Sequence, residues 1–333
     1  MLRLSPPGFQ RFSQAHSFDI IFGGSESNVA ASLANYGMST EFVTRLPAND
    51  IGDACLKYLK QNEVGTHFVV RGGERLGVFY LEMGSVQRAS KVIYDRSHSS
   101  FAEINPGMVD WKNVFSDADW FHCSGITPAV SSGAAEVCLE AVTAARQQGL
   151  RVSLDLNYRE KLWKWGRQPG EVMTELIRFA DMAIGNEEDA EKVFGIKAPD
   201  TDVTAGSVES DKYCCVCEQL VERFANLKTV AITLRGSISA SHNSWSGVLW
   251  NQGKFYAGRS YEITPIVDRV GSGDSFAGGL IFGLLTYDDP QTALDYALAA
   301  SCLKHTIFGD VNLVSKTEVE KLMLGDASGR VSR

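Results

Sequence analysis

The sequence predicts an α/β fold: one doubly wound, mostly parallel sheet with helices on both faces, carrying a small β lid. Three observations predict it. Strand-like apolar runs alternate with helical runs along most of the 333 residues, the rhythm of βα units. That rhythm is interrupted early, where residues 76–81 and 91–96 read as two strands joined through Met83-Gly84-Ser85. A hairpin inside a βα series stands off the main sheet as a flap. Two glycine-rich turns, Gly23-Gly24 and Gly271-Ser272-Gly273, each open a helical run, which is how such folds bring backbone close to a ligand.

The elements follow in order. Pro6-Pro7-Gly8 is a turn, and residues 18–22 are a short apolar strand. Gly23 to Asn28 open a helix over 29–36, thin in section at Ala30, Ala31 and Ala34, with Gly37 as its stop. Residues 41–46 read as a strand, 52–61 as a helix and 67–71 as a strand, ahead of the flap. The series resumes with strand 119–123, helix 131–148 and strand 151–155. Trp163 and Trp165 are packing residues on the next helix. Strand 182–184 runs into a helix ending at Phe194, and the Pro-, Gly- and Ser-rich stretch 197–211 is a loop. Helix 213–225, strand 229–234, a turn at 235–237 and a hairpin around Asn251-Gln252-Gly253 follow. An apolar helix runs from the second glycine turn to Leu285, and Asp289-Pro290 starts the next. The chain is expected to form a single domain over 1–333, with lid strands within about 4–18 and 72–98.

Composition bounds the function. Hydrophobic residues at 44% against 22% charged imply a sizeable core, and the net charge of −8 without a long basic run argues against nucleic acid. Seven cysteines are an odd number, and Cys214, Cys215 and Cys217 lack the second pair or His that zinc needs. No signal core or 18-residue apolar span is present. A soluble, reduced, cytoplasmic protein without membrane partners is expected.

The chemistry gathers at residues 268–279, DRVGSGDSFAGG. Glycines ahead of a helix aim free N–H groups at an anion, aided by the helix dipole. Asp274 beside such a seat is useful as a proton acceptor, which points to phosphoryl transfer onto a hydroxyl. A plain N-cap is the alternative. Tyr80, Tyr94 and Arg96 lie on the flap, and Arg159 follows a buried strand, DLNYR at 155–159, at the sheet edge where α/β ligands bind. There is no G-x-x-x-x-G-K-[ST] loop, no G-x-G-x-x-G fingerprint after an early strand, and no H-R-D or D-F-G pair.

GGSESNVAASLANYG at 23–37 and DRVGSGDSFAGG at 268–279 together resemble the two signatures of the ribokinase-like (PfkB) carbohydrate kinases, and the likeness runs through nearly the whole chain. Within that family LRLSPPGFQRF near the start, DLNYR, KHTIFGD at 304–310 and the closing GDASGRVSR resemble the sugar-acid kinases. The resemblance implies ATP- and magnesium-dependent phosphorylation of the 6-hydroxyl of 2-keto-3-deoxygluconate (KDG). It makes Asp274 the base and Gly271, Ser272 and Gly273, with Asp274, the anion hole. It places Gly24, Asn28, Tyr80, Tyr94, Arg96, Arg159, Asp274 and Asp310 on the sugar acid. Asn157, Arg159, Asn186, Thr233, Gly236 and Gly271 to Gly273 fall on the ATP side, with magnesium on the phosphates and no protein metal site. Assembly through the lid is implied as well. Asp189 stands where the family's N-x-x-E motif has Glu, and Arg235 where relatives often have glycine. The chain begins near the end of what would be the family's first strand, so either the start is an internal methionine or the sheet lacks a strand. A fructokinase- or ribokinase-like enzyme and a non-catalytic sugar-acid sensor are the alternatives.

Overall fold

The computed structural model describes residues 1–198 and 210–326, so most of the loop expected at 197–211 and the last residues of GDASGRVSR lie outside the described residues. The chain opens with β1 (Leu2–Ser5), β2 (Asp19–Phe22) and helix α1 (Ser25–Asn35), followed by β3 (Arg45–Leu46), α2 (Asp50–Gln61) and β4 (Val70–Arg71). Strands β5 (Val78–Glu82) and β6 (Lys91–Asp95) form the expected hairpin. A single turn, α3 (Trp111–Val114), precedes β7 (Trp120–Ser124), α4 (Ser132–Gln147), β8 (Arg151–Asp155), α5 (Pro169–Ile177), β9 (Met182–Asn186), α6 (Asp189–Phe194) and α7 (Cys214–Arg223). Strands β10 (Thr229–Ser239), β11 (His242–Asn251), β12 (Lys254–Ala257) and β13 (Tyr261–Ile263) lead to α8 (Ser272–Thr286), α9 (Pro290–Lys304) and α10 (Lys316–Met323).

The main sheet runs β12-β11-β10-β9-β8-β7, with β13 also on β11. Its members β7 to β10 are parallel and β11 to β13 antiparallel. One face is covered by α4 to α7, whose Val142, Met173, Val193 and Leu220 pack on Val152, Leu154 and Val230. The other is covered by α1, α8 and α9, through Val29, Phe276, Leu280 and Leu298. Strands buried on both faces read as continuous apolar runs, which is why VSLD and VAITL are legible. A second sheet, β2-β1-β5-β6, stands at the strands' carboxyl edge. Among the described residues no helix is long and apolar enough to cross a membrane.

Several local expectations are corrected. Helix α1 begins at Ser25 rather than Val29, because Gly24 serves as its N-cap and Ser27 and Asn28 sit in its first turn. Strands expected over 41–46 and 67–71 shrink to the two-residue pair β3–β4, plus a bridge from Glu41 to Gly65. Trp163 and Trp165 do pack on the core, but from a turn region ahead of α5. The turn expected at 235–237 is strand: β10 runs on to Ser239, with Arg235, Gly236 and Ser237 paired to Trp245, Ser244 and Asn243.

Helix α8 is apolar all round because it lies between α1 and α9. A Cβ on Gly278 would meet Ser32 at 2.8 Å, and one on Gly283 would meet the Ala293 backbone at 2.7 Å. The helix is therefore held on both sides, which fixes its N-terminus in space.

Candidate active site

Several helices use side chains to satisfy their first N–H groups, whereas α1, with Gly24 as its N-cap, does not. Asn49 caps α2, Ser131 caps α4, and Asp289 caps α9. Among the described residues no side chain caps helix α8. Its N-cap is Gly271 at φ +80, a left-handed conformation, and a Cβ there would lie 1.9 Å from the Asp310 carbonyl oxygen. A Cβ on Gly273 would meet nothing within 4 Å among the described residues. Of the first amides of α8, that of Ser272 donates to the Arg269 carbonyl at 3.3 Å, while those of Gly273 and Asp274 stand at the positive end of the helix dipole.

Asp274 does not cap the helix. Its Oδ1 accepts from the Ser25 hydroxyl at 2.8 Å and its Oδ2 from Asn28 Nδ2 at 2.7 Å. The Ser25 oxygen in turn accepts from Asn157 Nδ2 at 3.1 Å, and Asn157 also donates to Ser124. Burial pushes the Asp274 carboxyl up to about 6, opposed by the Asn28 and Ser25 hydrogen bonds and helped by Asp310 and Glu26. A group that must be ionised to accept a proton then limits activity on the acid side. The ionised fraction falls about tenfold per pH unit below about 6 and saturates above it. A kcat/KM profile should therefore rise through about pH 6 to a plateau. A rate flat from pH 4.5 to 8 contradicts a base with this environment.

These groups line a cleft of about 300 Å³ between the carboxyl ends of β8 to β10, the lid and the start of α8. Its walls carry Arg96, Arg159, Arg235 and Arg269 together with Asp155, Asp189, Asp274 and Asp310. A larger cavity of about 890 Å³ runs beside α1 and β7, with apolar lining such as Val29, Leu46 and Phe121.

Arg96 is the most informative of these side chains. Its Nε is buried with no partner among the described residues, and its guanidinium lies 4.8 Å from the centre of the Tyr94 ring. Burial pulls its pKa down to about 10, with Tyr94 and Glu26 raising it and Arg159 lowering it further. Arg159 is exposed, and its Nη1 donates to the Tyr158 carbonyl at 2.7 Å. Among the described residues neither arginine is paired with a carboxylate, so both are free to meet an anionic ligand.

Most of the residues expected from sequence meet in this cleft. Gly24, Asn28, Tyr94, Arg96, Asn157, Arg159, Asn186, Thr233, Gly271, Ser272, Gly273, Asp274 and Asp310 all line it. Two do not. Tyr80 pairs with Ile93 on the outer face of the lid and packs against Phe18, while Phe79 and Leu81 face the cleft instead. Alternation along a strand separates two faces without saying which is inward. Gly236 sits in the β10–β11 ladder opposite Ser244, and its neighbour Arg235 lines the cleft. Asp189 serves the backbone: its carboxylate accepts from the amides of Asn186 at 2.9 Å and Tyr158 at 3.1 Å, tying together the ends of β8 and β9. His305 is buried, with Nδ1 2.8 Å from the Ser301 carbonyl oxygen.

Sequence reasoning does not single out Ser25, Asp155, Arg235 or Arg269 as site residues. Ser25 is hidden in a glycine-rich turn where serine reads as a cap. Arg269 lies inside the motif, and only the fold turns it toward the cleft. The donor set suits a phosphate-bearing ligand: the Gly273 and Asp274 amides at the start of α8, with Arg235 and Arg269 on the cleft wall. Among the described residues no cluster of three or more His, Cys, Asp or Glu could hold a metal ion.

Residues 5–316 match the pfkB family of carbohydrate kinases. A 2-dehydro-3-deoxygalactonokinase from Haloferax volcanii is 30% identical over 99% of this chain and 96% of its own length. The crystal structure of 2-dehydro-3-deoxygluconokinase from Thermotoga maritima is 45% identical with a TM-score of 0.92, covering 98% of this chain and 97% of that one. A PfkB family carbohydrate kinase from Listeria grayi is 34% identical with a TM-score of 0.88, covering 97% of each chain.

Proposed function

The chain belongs to the pfkB family of carbohydrate kinases, and from that premise we propose that it phosphorylates the 6-hydroxyl of KDG with ATP. The observation that carries the reading is the pair Arg96 and Arg159, two cations without carboxylate partners among the described residues, in the same cleft as Asp274. A sugar acid places its carboxylate on the arginines and extends its terminal hydroxyl to Asp274. Gly24, Asn28, Tyr94 and Asp310 complete its walls. A neutral sugar leaves both charges unanswered.

In the transfer step the hydroxyl oxygen bonds to the γ-phosphorus as the bond to the leaving ADP oxygen breaks, and the proton passes to Asp274. Even at about 6 the carboxylate is too weak a base to ionise an alcohol beforehand, so it accepts the proton late. Asn28 and Ser25 hold both carboxylate oxygens in place, and the amides of Gly271 to Asp274 meet the charge on the transferring group. Asn157, Asn186, Thr233, Arg235 and Arg269 form the ATP side. Magnesium, when bound on the phosphates, neutralises their charge.

Replacing Arg96 or Arg159 by glutamine is expected to raise the KM for KDG by about tenfold or more, the worth of a hydrogen bond to a charged group, with little change in the KM for ATP. Unchanged KM in both variants removes the carboxylate assignment. The Haloferax volcanii relative's name favours a second substrate, 2-keto-3-deoxygalactonate, which differs from KDG only at C4 and presents the same carboxylate and hydroxyl. Comparing kcat/KM for the two epimers separates the readings.

The lid is proposed to serve also as the surface for self-association. Its outer face carries a cross-strand row, Ile20, Leu4, Tyr80 and Ile93, with Ile20 65% and Ile93 55% exposed. Exposed apolar rows of this kind mark interaction sites. Sedimentation equilibrium should find a dimer or larger that Ile93→Glu dissociates; a monomeric wild type contradicts this.

A further inference from the structure

Four charged side chains are buried together directly beneath the anion loop: Arg3, Asp268, Lys304 and Asp310, none more than 2% exposed. Arg3 Nη1 bridges Asp268 Oδ2 at 2.8 Å and Asp310 Oδ1 at 2.7 Å, and its Nε donates to Ser5 at 2.8 Å. Lys304 Nζ donates to the carbonyl oxygens of Asp268 at 3.2 Å and Ile307 at 3.1 Å. Asp268 accepts from the amides of Val270 at 3.0 Å and Gly309 at 3.1 Å. Two cations and two anions balance, and each anion belongs to a segment that touches Gly271. Asp268 begins the loop, and the Asp310 carbonyl is where a Gly271 Cβ would strike.

The origins of the two cations differ. Lys304 comes from the end of α9, on the main body, whereas Arg3 comes from lid strand β1 and bonds to residues 265 and 307 positions away. Strand β1 pairs directly with β5, whose Phe79 and Leu81 line the sugar-acid end of the cleft. A continuous chain of contacts thus runs from the lid's inner face, through Arg3, to the loop that aims the α8 amides.

We propose that Arg3, seconded by Lys304, is a positioning residue for phosphoryl transfer: a cation delivered by the lid that fixes the anion loop through Asp268 and Asp310. The proposal rests on the sugar-acid kinase reading for its kinetic consequence but not for its structural one. Loss of Arg3 leaves two facing carboxylates without their bridge, so the loop over 268–274 shifts, and misplacement on the scale of 1 Å costs about 10²-fold in rate. Arg96 and Arg159 are untouched and only the wall residue Asp310 loses a partner, so the loss falls mainly on kcat, with a small effect on the KM for the sugar acid.

The test pairs kinetics with amide hydrogen exchange on the whole protein. Arg3→Met is expected to lower kcat about 10²-fold with the sugar-acid KM within about threefold, and to speed exchange over 268–275 while the centre of α8 keeps its protection. Arg3→Lys, which restores one charge, should recover part of both. If Arg3→Met does not fold, Lys304→Ala gives a second reading. It should show the same faster exchange and kcat loss, partly restored by millimolar methylammonium, which fits the vacated ammonium position. Unchanged exchange over 268–275 in the folded variants overturns the proposal, whatever the enzyme phosphorylates. Faster exchange in a protein whose wild type turns over no sugar acid leaves the positioning role standing and removes the substrate reading instead. A loss confined to KM also overturns it.

Discussion

Replacing Asp274 by asparagine is expected to lower kcat by about 10²–10⁴-fold, the usual worth of a positioned general base, while KDG binding by calorimetry changes little. The amide keeps the shape, and its oxygen still accepts from Ser25. Asn28, which donates to the other carboxylate oxygen at 2.7 Å, can present its own oxygen after an amide flip. What disappears is the acceptor for the proton. The same substitution should not destabilise the fold near neutral pH. The folded carboxyl lies at about 6, above its ordinary 3.8, so the folded state binds the proton more tightly. Stability from this group is therefore fully present below about pH 4 and lost as pH rises through about 6, a penalty on the order of 2–3 kcal/mol. A neutral asparagine escapes it. A thermal midpoint at pH 7.5 equal to or above wild type, beside a large kcat loss, is the expected pair of results. Near wild-type turnover rules out Asp274 as the base.

The second large effect is expected at Gly271. Alanine there combines a left-handed backbone with a Cβ 1.9 Å from the Asp310 carbonyl oxygen, so the loop must move. Strain of this kind costs about 1–3 kcal/mol, and misdirected oxyanion-type donors cost about 10²–10³ in kcat. Gly273→Ala is the control. Among the described residues nothing lies within 4 Å of its added Cβ, so it should fold with an unchanged thermal midpoint and lose activity only because the methyl group occupies the ligand's space. Equal midpoints and full activity in both variants contradict the assignment of this turn to the phosphoryl group.

The parts of the protein legible in its sequence are those where chemistry and periodicity agree. The buried parallel strands, the flap hairpin and the apolar helix after Gly271 each impose a local pattern, and all are present in the fold. Asp274 stands out because a carboxylate at an anion seat conflicts with the seat's own charge preference. What escapes depends on contacts distant in sequence. Nothing near Ser25 announces that its hydroxyl meets Asp274, 249 residues away. Tyr80 and Phe79 are adjacent aromatics, and only the docking of β5 on β1 decides that Phe79 faces the cleft. Arg235 departs from the family's frequent glycine and reads as a turn residue; the extended β10 makes it part of the cleft wall. Arg3 gives no local signal at all.

The central claim is that a carboxylate-bearing sugar is held by Arg96 and Arg159 and delivered to Asp274. The direct measurement is kcat/KM of the wild-type protein in a coupled ADP-release assay, with KDG, 2-keto-3-deoxygalactonate, fructose and ribose each as acceptor. Two charge-assisted contacts predict that at least one of the two sugar acids exceeds either neutral sugar by about 10² or more. A neutral sugar turned over as well as the acids, or a sugar acid bound without turnover, contradicts it.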